Sequence, residues 1–159
     1  FLRNGSKKYF DNADKLFEKA LGIAKDLLVS EIISVTILEN DKLKTLEVIK
    51  QQNNPEILIL DSRLEWHEAV MDNKNTKLVI FPRKNGEWSV QVARDDLEDY
   101  DSNRVVFPSE WCGLSGDELI KMSGIDGAKF CANGNWLMVV DTKENALIVA
   151  EKVLQINQN

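Results

Sequence analysis

The chain has 159 residues, 43% of them hydrophobic and 29% charged, with 8 Gly and 3 Pro. That is one domain's worth of polypeptide, able to bury about two-thirds of its surface without disulfides or a structural metal, and it excludes disorder, collagen and low complexity. Twenty basic residues against 26 acidic ones leave a net charge of −6, the wrong sign for a free-standing nucleic-acid binder, which needs cations for its phosphate contacts.

Apolar residues at Ala13, Leu16, Phe17, Ala20, Leu21, Ala24, Leu27, Leu28, Ile32, Val35 and Leu38 follow the three-and-four spacing of a helix. Between Leu27 and Leu38 the stripe widens through Val29, Ile33 and Ile37. A helix apolar over most of its circumference needs cover on two sides, by its own sheet and by either a second helix, Leu43 to Ile49, or another subunit. Asn53-Asn54-Pro55 ends the helical region near Gln52. Ile57 to Leu60 then reads as a strand buried on both faces. A short helix around Glu65 to Met71 follows. Lys77 to Phe81 and Trp88 to Val92 flank an Asn85-Gly86 hairpin turn. Ser115 to Glu118 forms a capping box, and Gly124 closes its short helix. Ala128 to Cys131 and Trp136 to Val140 make a second hairpin, turning at Asn133-Gly134-Asn135. Asp141 and Thr142 open a last helix through Leu154, with Ala146, Val149, Ala150 and Val153 inward.

The expected fold is α+β, with N-terminal helices packed on a small mixed or antiparallel sheet containing two hairpins, closed by a C-terminal helix. Residues 1–159 form a single domain, divided into a helical segment 1–54 and an α+β body 55–159. No run approaches 18 consecutive apolar residues, so no membrane partner is expected. Cys112 and Cys131 are the only cysteines, with 18 residues between them. They fit no zinc knuckle or redox pair, and read as two buried thiols in a reducing, cytoplasmic compartment. The sequence opens on Phe1 rather than Met, as expected if residues have been removed or if it is a piece of a longer polypeptide.

Several constellations carry two readings each. Counting from Asp99, the acidic loop Asp95 to Asn103 places carboxylates or amides at calcium-loop positions 1, 3 and 5, with Glu110 at 12. Arg104 stands where that loop demands Gly, so a solvated inter-strand loop is the expectation. Asp61 ends a buried strand, where carboxylates serve as metal ligands or turn formers. His67 is a base or a surface histidine on a short helix, and lacks a Ser or Cys nucleophile to pair with. Trp66, Trp88, Trp111 and Trp136 are stacking platforms or core anchors. Arg104 forms a salt bridge to Asp99 or Asp101, or a planar fork for a phosphate or carboxylate.

Read together, Val79 to Pro82, Trp88 to Val92, Arg104 with Phe107-Pro-Ser-Glu-Trp-Cys-Gly-Leu114, Glu118-Leu119, Ser123 to Gly127, Phe130-Cys131 and Thr142 to Leu147 resemble a known pattern. So does Leu58 to Asp61 followed by Trp66. The resemblance is to the C-terminal domain of the melanocyte-proliferating-gene family of metal-dependent hydrolases, relatives of the DHH phosphoesterases. It covers roughly residues 57 to 154. It implies a two-domain parent whose N-terminal domain carries His and Asp clusters for a divalent metal, manganese, and acts as a 3′–5′ RNA exonuclease. On that implication this chain is a non-catalytic, substrate-positioning domain, with no cofactor or metal of its own. Its partners are the catalytic domain and, only with that domain, RNA or a nucleotide. Arg104, Gln91, Trp88 and Trp111 match the pattern and are the candidate substrate-binding residues, Arg104 holding a phosphate. The sequence departs from the family where Ala132 replaces a His and the following glycines are reduced to Gly134. The alternative is a self-association module, a homodimer formed through the wide apolar helix, without substrate contact.

Overall fold

The computed structural model describes residues 2–99 and 101–158, and side chains from residue 12 onward. It divides into two compact units, residues 1–40 and 41–159. A single α-helix, α1 (Leu2–Gln51), begins in the first and ends in the second. Leu43 to Ile49 is therefore the last part of α1, and no separate second helix forms there. Nothing between Ala20 and Ile49 breaks helical geometry: the one glycine, Gly22, meets open space, and Ser34 and Thr36 bond back to the carbonyls of Ser30 and Ile32. Every side chain from residue 12 to 40 is exposed in the isolated chain.

The second unit is built on a five-stranded mixed sheet in the order β1-β2-β3-β5-β4. Its strands are β1 (Ile57–Ile59), β2 (Leu78–Pro82), β3 (Trp88–Val92), β4 (Ala128–Cys131) and β5 (Leu137–Val140). Only β1 and β2 run parallel, with Leu58 opposite Val79, and the crossover between them carries α2 (His67–Asp72). The other neighbours are antiparallel. This is the α+β architecture that the hairpin and breaker signals imply.

Alternation along each strand divides the core in two. Leu78, Ile80, Val90, Val92, Met138 and Val140 face one side, under α3 (Gly116–Ser123) and α4 (Lys143–Gln158), together with Phe107 and Trp111. The inward residues of α4, Ala146, Val149, Ala150 and Val153, are fully buried. Each valine contributes about 1.5–3 kcal/mol of transfer free energy. Leu58, Leu60, Val79, Phe81 and Ala93 face the other side, with Trp66 and Val70 and with Val48 and Ile49 from the end of α1.

Both sheet edges are closed without a further strand. On β1 the Gln52 amide mimics one, donating to Ile59 O at 2.7 Å and accepting from Ile59 N at 3.2 Å. On β4 the segment after a 3-10 turn (Ser109–Trp111) takes the edge, as Gly113 N donates to Cys131 O and Cys131 N to Leu114 O. In the first hairpin only Gly86 takes positive φ, at 85°, whereas Asn85 bonds to Glu87 instead; in the second, Gly134 and Asn135 both do. Ser115 is the N-cap of α3, yet its hydroxyl makes no capping bond, so the expected reciprocal box is absent; Gly124 closes the helix at φ 66° as expected. Thr142 does cap α4, accepting from Asn145 N.

Candidate functional site

The face of the sheet opposite α3 and α4 is only partly covered. Trp66, Val70 and Leu64 lie over β1 and β2, and beyond Phe81 the surface opens above β3 and β5. A groove of about 390 Å³ forms there, lined by Arg63, Phe81, Arg83, Lys84, Asn85, Ser89, Gln91, Trp136 and Leu137. The floor follows from strand register. Ser89 and Gln91 alternate with the inward Val90 and Val92, and Gln91 pairs with Leu137 of β5. The cations come from separate segments, Arg63 from the loop after β1 and Arg83 with Lys84 from the hairpin turn. Three cations in one groove of a chain with net charge −6 form a local positive field, suited to an anionic ligand. Arg83 keeps a rim geometry, 3.8 Å from Glu87 and 3.4 Å from the Ser89 hydroxyl. Half-buried Trp136 supplies an aromatic wall beside them.

Gln91 is the expected site residue that this groove contains. Its amide nitrogen is 3.5 Å from Nε2 of His67. That imidazole stacks on buried Trp66 with centroids 3.9 Å apart and planes at 18°. Burial lowers the His67 pKa from its ordinary value; Glu65 opposes the shift and Arg94 adds to it.

The other three candidates lie elsewhere. Trp88 is an odd number of residues from Gln91 on the same strand, so it points to the α4 face, where Lys143 Nζ is 5.4 Å from its ring centre. Trp111 is buried in the main core, with Lys152 Nζ 5.7 Å from its ring. The Arg104 side chain is 5% exposed and does not face a cleft. Its Nε donates to Asp95 at 2.9 Å, and its terminal nitrogens donate to the carbonyls of Asn73 (2.9 Å), Thr76 (2.6 Å) and Val70 (3.2 Å). Four bonds occupy most of the five N–H donors of a guanidinium. Its carboxylate partner is Asp95, not Asp99 or Asp101; Lys74 and Arg104 together hold that carboxyl below its usual range. The structure therefore does not bring the four candidates together.

In the acidic loop, Asp96 and Asp99 turn their carboxylates to the backbone N–H groups of Glu98 and Asp101, as turn-forming Asp residues do. Tyr100 lies outside the described residues. Asp61 is 90% exposed and pairs with Lys143 at 2.9 Å. Among the described residues no group of three or more His, Cys, Asp or Glu side chains could hold a metal ion. Cys131 is fully buried and Cys112 half-buried; burial, then the neighbouring Cys112, push the Cys131 thiol up to about 12. Ala132 is buried, and the turn after it packs on the segment before α3, with Asn135 O accepting from Phe107 N.

Sequence reasoning missed Arg63, Arg83 and Lys84. The available signal was the Arg83-Lys84 pair in a hairpin turn above a strand whose outward positions, Ser89 and Gln91, are polar.

A family model described as "MYG1_exonuc: Uncharacterised protein family (UPF0160)" matches residues 3–154. The MYG1 protein of Chlamydia muridarum is 33% identical over 142 residues, covering 84% of this chain and 47% of that protein. The Chlamydia trachomatis MYG1 protein is 32% identical over the same coverage. That of Dictyostelium discoideum is 28% identical over 160 residues, covering 89% and 46%. The chain spans a little under half the length of these relatives. No described helix is long and apolar enough to cross a membrane.

Proposed function

Because the chain belongs to the MYG1 family, we propose that it is a non-catalytic, substrate-positioning part of a DHH-type metal-dependent phosphoesterase acting as a 3′–5′ RNA exonuclease. On this reading manganese and its His and Asp ligands sit on another part of the larger protein, and these residues hold the phosphodiester chain. The groove is the observation that carries it. Arg63, Arg83 and Lys84 offer charge to phosphates, Asn85 and Gln91 offer hydrogen bonds, and Trp136 offers a face to a base. A chain with one histidine supports placing a His-rich metal set elsewhere.

Anisotropy with a labelled oligouridylate tests the groove. Replacing Arg83 and Lys84 together by Ala should weaken binding about tenfold and flatten the salt dependence by about two counterions. The groove should hold the oligonucleotide even without the catalytic part, and no binding at low salt would overturn the groove as the phosphate site. Manganese added to the pure chain should produce no RNA cleavage; metal-dependent cleavage would overturn the non-catalytic assignment.

A separate observation favours the second reading. Leu16, Phe17, Leu21, Leu27, Leu28 and Ile32 are all more than half exposed on α1, and exposed apolar surface of this extent marks interaction sites. Light scattering tests whether this segment mediates self-association, and a strict monomer would remove that alternative.

A further inference from the structure

We infer that His67 is a positioning residue for the groove, whose protonation turns the Gln91 amide and strengthens binding of an anionic ligand as pH falls. The inference rests on the groove being the ligand site.

The geometry gives the starting arrangement. As placed, the Gln91 amide nitrogen faces Nε2 of His67 at 3.5 Å, and since an amide nitrogen only donates, the ring accepts in this arrangement. The imidazole is then neutral, with its proton on Nδ1, and Nδ1 is 3.8 Å from Glu65 Oε2. Stacking on buried Trp66 fixes the ring plane. The charged groups acting on the ring are Glu65, just before α2, and Arg94, just after β3. On α2 itself the next residue, Glu68, is 3.3 Å from Lys42 of α1. Burial is the largest influence on His67 and favours the neutral form at neutral pH.

Protonation places a second N–H on Nε2, opposite an amide that was itself donating. The Gln91 amide resolves the clash by rotating half a turn, so that Oε1 accepts from the ring. Its NH2 group is then free to donate on the side where Gln91 lines the groove with Arg63, Arg83 and Lys84. The two ends of the amide are nearly equal in size, so the turn needs little rearrangement. One hydrogen-bond donor and one positive charge are gained beside the groove, and both favour an anion.

The test uses oligothymidylate, whose phosphodiesters and bases do not titrate between pH 5 and 8. Anisotropy with the full chain should give about fivefold tighter binding at pH 5.5 than at 7.5. His67→Gln and Gln91→Leu should each abolish the difference. The wild-type protein gives a second readout, because its one histidine yields a single Cε1–H resonance. By reciprocity, saturating oligothymidylate should raise the pH at which that resonance titrates. A pH dependence that survives in His67→Gln, or a titration unmoved by the oligonucleotide, overturns the inference while the groove reading stands. No binding at either pH overturns both.

Discussion

The two faces of one sheet are put to different uses. Under α3 and α4, Leu78, Ile80, Val90, Val92, Met138 and Val140 are buried to 2% exposure or less and belong to one apolar cluster. On the other face the same strands present Gln91 and Leu137 to an open, cationic groove, with Ser89 buried at its floor. Because side chains alternate across a strand, a single residue step moves from stability to ligand contact. Substitutions on the first face should therefore cost folding, and those at the groove positions of the second, beyond its own core of Leu58, Leu60, Val79 and Phe81, should cost binding.

The largest effect is expected at Phe107, fully buried against the helical face. Phe107→Ala should cost about 3–5 kcal/mol in urea denaturation. Arg83→Ala with Lys84→Ala should stay within about 0.5 kcal/mol while losing oligonucleotide affinity. Equal stability losses would break the distinction between the faces. Arg104 belongs with the first group despite its charge. Arg104→Ala strips partners from the carbonyls of Val70, Asn73 and Thr76, and should cost about 2–4 kcal/mol. Binding by the fraction that stays folded should be unchanged, and a binding loss at full stability would return Arg104 to the ligand site. Gly127 comes next. Its φ of 75° suits glycine, and a methyl there would run into the Asp141 carboxylate. Gly127→Ala should cost about 1–3 kcal/mol, read from the same denaturation curves.

Much of the helical face was legible in the sequence, because its signals are local. The inward positions Ala146, Val149, Ala150 and Val153 follow from period alone, and Gly124 and the Asn133-Gly134-Asn135 turn follow from backbone chemistry. The groove was not, because it collects Arg63, Arg83 and Trp136 from three segments that only strand pairing brings together. Net charge also pointed away from it, since averaging over the chain conceals a local field. Arg104 misled for a related reason. Its partners, Val70, Asn73 and Thr76, are backbone carbonyls about thirty residues away, and carbonyls carry no side-chain signature. Ser115 shows the converse, a capping pattern whose hydroxyl bond is not made.

The smallest expected effect sharpens the contrast between the faces through pH. His67 is the titrating group near neutrality, and its folded pKa lies below 6.5 because burial outweighs Glu65. The unfolded chain therefore binds more protons between the folded value and 6.5, so stability rises with pH across that window. Below the unfolded value the contribution is progressively lost, until both states are protonated. Denaturation of the wild type at pH 5.5 and 7.5, set against His67→Gln, should show a small extra stability at the higher pH that the variant lacks. Oligothymidylate should act in the opposite direction, being held more tightly at the lower pH. A group that the fold prefers neutral and the ligand prefers charged belongs to the binding face; stability and affinity moving together with pH would place His67 in the structural one.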